Sequence, residues 1–246
     1  MTRAAIIYLL AITVAEVVTT FFAPVLGMIG HIVIVVVLMM HSALASGHPH
    51  RELLLSLCLV PLVRIISLSM PLGNIPQIWW YLVIYAPLLA ASIVIMRALG
   101  YSAEQIGLSF KRLRIQMLVM FTGLGFGVAE YLILTPEPLL VDPAWHDVLV
   151  PALILLVSTG FTEEFMFRGV LQRSAMGAFG WWGIIYVSLL FAVLHMGFNS
   201  WLDVVFVFGV ALFFGFVVKR TGSLIGVTLS HGITNIMLLL IMPLFF

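Results

Sequence analysis

Six polar side chains in the last third of this chain stand in surroundings where few polar side chains belong. Glu163, Glu164 and Arg168 interrupt one apolar run, His195 closes a second, and His231 with Asn235 sits in a third. An ionised group at the centre of a bilayer costs about 2.5–3.5 kcal/mol on insertion scales, so such residues need a reason to be there. Glu164 and Arg168 are four apart with the acid first, the order that stacks an ion pair along one helical face. Glu163 points about 100° away from Glu164 around a helix of 3.6 residues per turn. One carboxylate is thereby neutralised and the other is left free to react. His231 and Asn235 share a face by the same spacing, and His195 follows Phe191 by four, which sets a ring beneath the imidazole.

A free carboxylate and an imidazole at one depth can deprotonate a water and hold it against a carbonyl, a general-base role that contributes about 10²–10⁴-fold. A second imidazole and an amide can donate hydrogen bonds to the developing oxyanion. These parts suit hydrolysis of a peptide bond by activated water. Other intramembrane proteases lack their marks here: there is no His-Glu-x-x-His, no Gly-x-Ser-Gly, and the deeply buried acid candidates are glutamates rather than a pair of aspartates. Ser230 is next to His231, but neighbours one apart diverge on a helix, so it reads as packing. Two histidines and two glutamates could bind zinc. The Glu164–Arg168 pair uses up one of those ligands, however, and zinc-ligand spacing on one helix is absent, so no cofactor is expected and zinc is the alternative. The single cysteine, Cys58, has no partner for an internal disulfide.

The elements that must carry these groups follow from composition. Of 246 residues, 63% are hydrophobic and 9% charged, and the mean hydropathy is +1.22. Soluble domains carry roughly 25% charged residues, so too few polar side chains exist to coat a water-soluble globule, and the lipid bilayer is the expected surrounding. A net charge of +1 leaves no basic surface for nucleic acid. Counting about 20 apolar residues per crossing, the sequence predicts an all-α, multi-pass transmembrane helix bundle. It has nine spans, over 4–22, 25–45, 53–70, 79–97, 116–134, 148–172, 181–196, 201–218 and 223–245. The first run is long and lacks a small-x-small site, so it reads as an uncleaved span.

Arg3, Arg51, the group Arg97, Lys111, Arg112 and Arg114, then Arg173, Lys219 and Arg220 all fall on one side of that layout. Glu137, Asp142, Asp147 and Asp203 fall on the other. Basic loops stay inside, which predicts a cytoplasmic N-terminus and an external C-terminus; the short chain, showing no endoplasmic-reticulum signal, is expected in a prokaryotic plasma membrane. The chain divides into accessory helices over 1–99, a segment over 100–115 and a catalytic bundle over 116–246. The middle segment interleaves Ile106, Leu108, Phe110, Leu113 and Ile115 with Lys111, Arg112 and Arg114. It reads equally as an interfacial stretch on the cytoplasmic leaflet or as an ordinary basic loop. At 1.5 Å per residue, Glu163, His195 and Asn235 come to lie about 20–21 Å, and His231 about 13 Å, from that side. All four can meet near one level.

Glu163-Glu164-Phe165-Met166-Phe167-Arg168, then Phe191-Ala192-Val193-Leu194-His195, then His231-Gly232-Ile233-Thr234-Asn235 resemble the three signature motifs of the CAAX protease and bacteriocin-processing (CPBP) family. That family includes the type II CAAX prenyl endopeptidases, and its members are called intramembrane glutamate proteases. The resemblance spans about residues 116–240. It implies that Glu163 and His195 activate the water, that His231 and Asn235 form the oxyanion hole, and that Glu164 and Arg168 orient the site. The substrate it implies is a membrane-associated or lipid-modified peptide or protein.

Other ionisable groups also lie at membrane depth: Glu16, His31, His41 and Arg64 in the first half, and Glu130 in a span whose Gly123, Gly125 and Gly127 allow close helix approach. Glu16 and Arg64 are expected to neutralise each other, the alternative being contact with substrate or lipid. Glu130 is expected to be a buried acid bonded to a neighbouring helix. A second functional class stands beside the endopeptidase: a non-catalytic scaffold, immunity protein or transporter subunit whose polar cluster locks helices together. Polar interhelical contacts average only about 0.6 kcal/mol, which makes six costly residues excessive for that purpose.

Overall fold

The computed structural model describes residues 3–45, 50–140 and 143–245. Among these residues every regular element is helical. The helices are α1 (Arg3–Phe21), α2 (Pro24–Leu44), α3 (Arg51–Ser69), α4 (Gln77–Ala98), α5 (Leu113–Leu134), α6 (His146–Phe179), α7 (Trp182–Phe198), α8 (Trp201–Thr221) and α9 (Ile225–Leu244). Eight are long and apolar enough to cross a membrane, and α7 is a shorter apolar helix. The chain is an integral membrane protein built as an all-α multi-pass bundle. Asp142, one of the acids expected on the external side, lies outside the described residues.

The helices are sorted as a bilayer demands. Ile7, Leu10, Val14, Val25, Leu26 and Val33 face outward, while Glu16, His31, Ser56, Ser92 and Gln116 are fully buried. Lipid rewards the apolar exterior, and polar groups survive only where protein partners meet them. Helix ends carry local signals. Pro24 opens α2, where a missing N–H costs nothing. The Ser200 side chain accepts from the Asp203 N–H at 3.2 Å to cap α8, and Gly222 ends it at φ 69°.

The sixth span is longer than its hydropathy suggests. It runs for 34 residues, about 51 Å at 1.5 Å per residue, against a hydrocarbon core of about 30 Å. Its last turns therefore stand outside the core or the helix tilts. Two π-helical stretches, Leu156–Phe161 and Phe165–Leu171, bracket the single α turn Thr162–Glu164. Such wide turns concentrate at functional sites. Just before this turn, α6 crosses α9 at contact distance. A Cβ on Gly160 would come within 2.9 Å of the Gly232 Cα, so only glycine lets the helices approach there. Gly123 and Gly127 similarly admit α9 against α5, whereas Gly125 faces open space.

The segment expected to extend through residue 115 ends earlier, because α5 begins at Leu113 after Arg112 adopts a left-handed φ of 54°. It is anchored rather than free. Ile106 is buried in the main core, the Leu224 N–H donates to the Gly107 carbonyl at 2.8 Å, and Ser109 and Gly222 are joined by a 2.6 Å bond. Tyr101 donates to Glu52 at 2.8 Å and meets Ser174 at 2.9 Å, while Arg173 covers the Tyr101 ring. These contacts gather the basic termini of α3, α4, α6 and α8 at one end of the bundle. Leu108, Phe110 and Leu113 remain exposed on it.

Candidate active site

The α turn between the two π stretches aims its two glutamates differently. Glu164 is fully buried; its Oε1 accepts from Arg168 Nη1 at 3.0 Å and from His231 Nδ1 at 2.8 Å. The four-residue spacing thus makes the ion pair expected of it, and an imidazole from α9 completes it. The Arg168 guanidinium lies 4.2 Å over the Phe191 ring, a cation–π contact made strong by desolvation. His195 packs against the same ring, 4.8 Å away between centroids, as does Phe167 at 4.9 Å. Phe191 is therefore a spacer between Arg168 and His195, which explains the four-residue interval that separates it from the histidine.

Glu163 turns instead toward open space. It accepts a hydrogen bond from the Tyr85 hydroxyl of α4, and its Oε2 lies 3.8 Å from His231 Nε2. That gap is too long for a hydrogen bond, yet an oxygen about 2.8 Å from each atom closes a triangle with both. Glu163, His195, His231 and Asn235 all line one cavity of about 320 Å³, a volume in the range of small-ligand pockets. The four residues expected to share one depth thus open onto one space. The imidazole nearest Glu163 is that of His231 rather than His195.

Ring nitrogens are assigned by their partners. His195 Nδ1 stands 2.9 Å from the Phe191 carbonyl, which can only accept, so Nδ1 carries the proton and Nε2 is the nitrogen left for chemistry. His231 Nδ1–H donates to the Glu164 carboxylate in the same way. An Nε2 donor on His231 therefore requires the imidazolium. Among the described residues the Asn235 amide has no protein partner, and it borders the cavity. His195 sits at the point where α7 tightens into the 3₁₀ turn His195–Phe198, so its position depends on how that turn is held.

Arg64 of α3 holds it. Its Nη2 donates to the Leu194 carbonyl at 3.0 Å, while Nε and Nη2 clasp Glu16 at 2.8–3.1 Å. The expected Glu16–Arg64 pair is present, and His31 Nε2 approaches the same carboxylate at 3.2 Å. His41 is bonded to Tyr8 at 2.9 Å. Tyr85 and Arg64 carry the first half of the chain into the cavity wall. The intramembrane arginine was visible in the sequence as a lone charge, but nothing distinguished Tyr85 among the aromatic residues of α4. Ser230 packs as expected, bonded to Thr122 at 2.9 Å. Glu130 departs from expectation: it lines the cavity and among the described residues bonds to no neighbouring helix. The glycines of its span bring α5 against α9, yet no donor on α9 meets the carboxylate.

As for metals, among the described residues no three His, Cys, Asp or Glu side chains are grouped so as to hold an ion. Glu164 turns its Oε1 to Arg168 and His231.

Residues 145–237 match the family model for the type II CAAX prenyl endopeptidase Rce1-like proteins. This stretch is similar to that family. It contains Glu163, Glu164, Arg168, His195, His231 and Asn235, and it bears out the CPBP resemblance drawn from the three motifs. No curated protein and no solved structure matches the chain. At the level of the family, the Rce1-like match supports a membrane-embedded endopeptidase of the CAAX type.

Proposed function

We propose that the protein is an intramembrane glutamate-type endopeptidase that hydrolyses a peptide bond of a membrane-associated or lipid-modified chain. The observation that carries this reading is the cavity itself. A carboxylate held by one phenol, two imidazoles each anchored through Nδ1, and an unpaired amide open onto one space inside the bundle. A lock between helices would consume its polar groups in one another; here Glu163, His195 and Asn235 border the cavity instead.

In the proposed mechanism Glu163 takes a proton from a water lodged among Glu163, His195 and His231. The water oxygen attacks the carbonyl, whose oxyanion accepts from the Asn235 amide and from His231 as imidazolium. Glu163 then returns the proton to the leaving amine. His195, with Nε2 free, accepts a hydrogen bond from the same water and orients it. Glu164 and Arg168 act through His231 and Phe191, fixing both imidazoles. No metal takes part. The N-terminus and the basic end of the bundle face the cytoplasm of a prokaryotic cell.

The test is cleavage of quenched-fluorescent lipopeptides by purified protein in liposomes. Glu163→Gln and His195→Ala are each expected to abolish cleavage while the helical circular dichroism is retained. Cleavage at the native rate by both variants overturns the assignment.

A further inference from the structure

Glu130 has no part in this scheme, and its surroundings give it no partner. It is only 7% exposed, yet it borders the cavity, and among the described residues no donor meets its carboxylate. Asp203 of α8 is within electrostatic reach of it. Asp203 is fully buried, and neither of its carboxylate oxygens has a hydrogen-bond partner. The other charged groups that Glu130 senses are Glu163 and His231.

The fixed cations nearby are already engaged. Arg64 is clasped to Glu16, Arg168 to Glu164, and His231 donates to Glu164. A buried carboxyl group with no counter-charge is costly, and a cation arriving from outside would supply what the fold withholds. Metal ions are poorly served, since no three-ligand group is present among the described residues. An organic cation on an aliphatic stem is better served. The cavity wall includes Tyr81, Phe206 and Phe214, faces that accept both a methylene chain and a positive head.

We infer that Glu130 forms a subsite for a lysine- or arginine-like side chain of the peptide, so that the cavity selects substrates with a basic residue near the scissile bond. This rests on the proposed endopeptidase reading and narrows its substrate class.

The test separates the two. Fluorescein-labelled myristoylated octapeptides, with lysine at each position in turn and norleucine there in the matched control, are titrated against Glu163→Gln protein in liposomes. At one position lysine is expected to bind about tenfold more tightly than norleucine, the scale of one charge-assisted hydrogen bond. Adding Glu130→Gln is expected to bring that ratio to about one, and Glu130→Lys to favour a glutamate peptide instead. Equal binding at every position overturns the inference, as does a ratio that survives Glu130→Gln. Thermal protection by millimolar Ca²⁺ that Glu130→Gln removes would assign the site to an inorganic ion and also overturn it. A lysine preference in binding, with no peptide cut by the wild type, would instead leave the subsite standing and remove the endopeptidase.

Discussion

Two buried clusters in this bundle have the same composition and different consequences. Near the N-terminus, Glu16 holds Arg64 and lies beside His31; in the stretch that matches the Rce1-like family model, Glu164 holds Arg168 and His231. Each is a carboxylate shared by a guanidinium and an imidazole, and both acids are fully buried. What separates them is what remains afterwards. Around Glu16 the carboxylate and the guanidinium are spent on each other and on the Leu194 carbonyl, with His31 enclosed beside them and without a hydrogen bond. Around Glu164 a second carboxylate, Glu163, stands beside the imidazole and opens onto a cavity. An inventory of intramembrane charge therefore does not separate a structural lock from a reactive centre. A carboxylate facing space that water or substrate can enter is what marks the second as the proposed reactive centre.

That contrast is open to direct test. Glu163→Gln is expected to lower the cleavage rate by about 10³-fold, within the range of a lost general base, with the melting temperature in detergent nearly unchanged. A comparable fall in stability would make Glu163 part of a lock. Glu164→Ala and Glu16→Ala are each expected to destabilise by about 3–5 kcal/mol, because each strands a buried arginine; thermal unfolding in one detergent measures both.

The double replacements then divide the clusters. Glu16→Leu with Arg64→Met should recover most of the stability, as apolar substitution of a buried pair commonly does. It should cost cleavage only about tenfold, through the donor lost from the Leu194 carbonyl. Glu164→Leu with Arg168→Met should recover stability and remain inactive, since His231 has then lost the acceptor that fixes its ring. Tyr85→Phe is a smaller change, expected to reduce kcat/KM by about tenfold by removing one hydrogen bond to Glu163. The smallest effect is expected from 1,10-phenanthroline, which should leave cleavage unaltered; inhibition that zinc reverses would replace the water-activating pair with a metal.

Much of the site was legible along the chain because its parts are local. Glu164 and Arg168 meet through helical spacing alone, Phe191 lies against His195 for the same reason, and the common depth of Glu163, His195, His231 and Asn235 follows from counting residues inward from basic loops. Tyr85 was not legible, since it is one aromatic among several in α4 and gains meaning only beside a glutamate 78 residues later. Glu130 was legible as a buried acid but not as an unpaired one. The length of α6 was underestimated because its final turns, rich in Gln172, Arg173 and Ser174, continue the helix beyond the apolar stretch.

Although its count of nine spans exceeds the eight helices long enough to cross, α7 being short, the sequence by itself determined that the chain lives in a bilayer and which helices bring polar groups inside. Those are consequences of composition and of a repeat of 3.6 residues, which nearest neighbours on one helix suffice to express. Only the tertiary structure decided which groups are consumed by partners and which are left over. Pairing across helices depends on where glycines such as Gly160 let two backbones close, and on which side chain then faces the gap. No spacing along one helix contains that information.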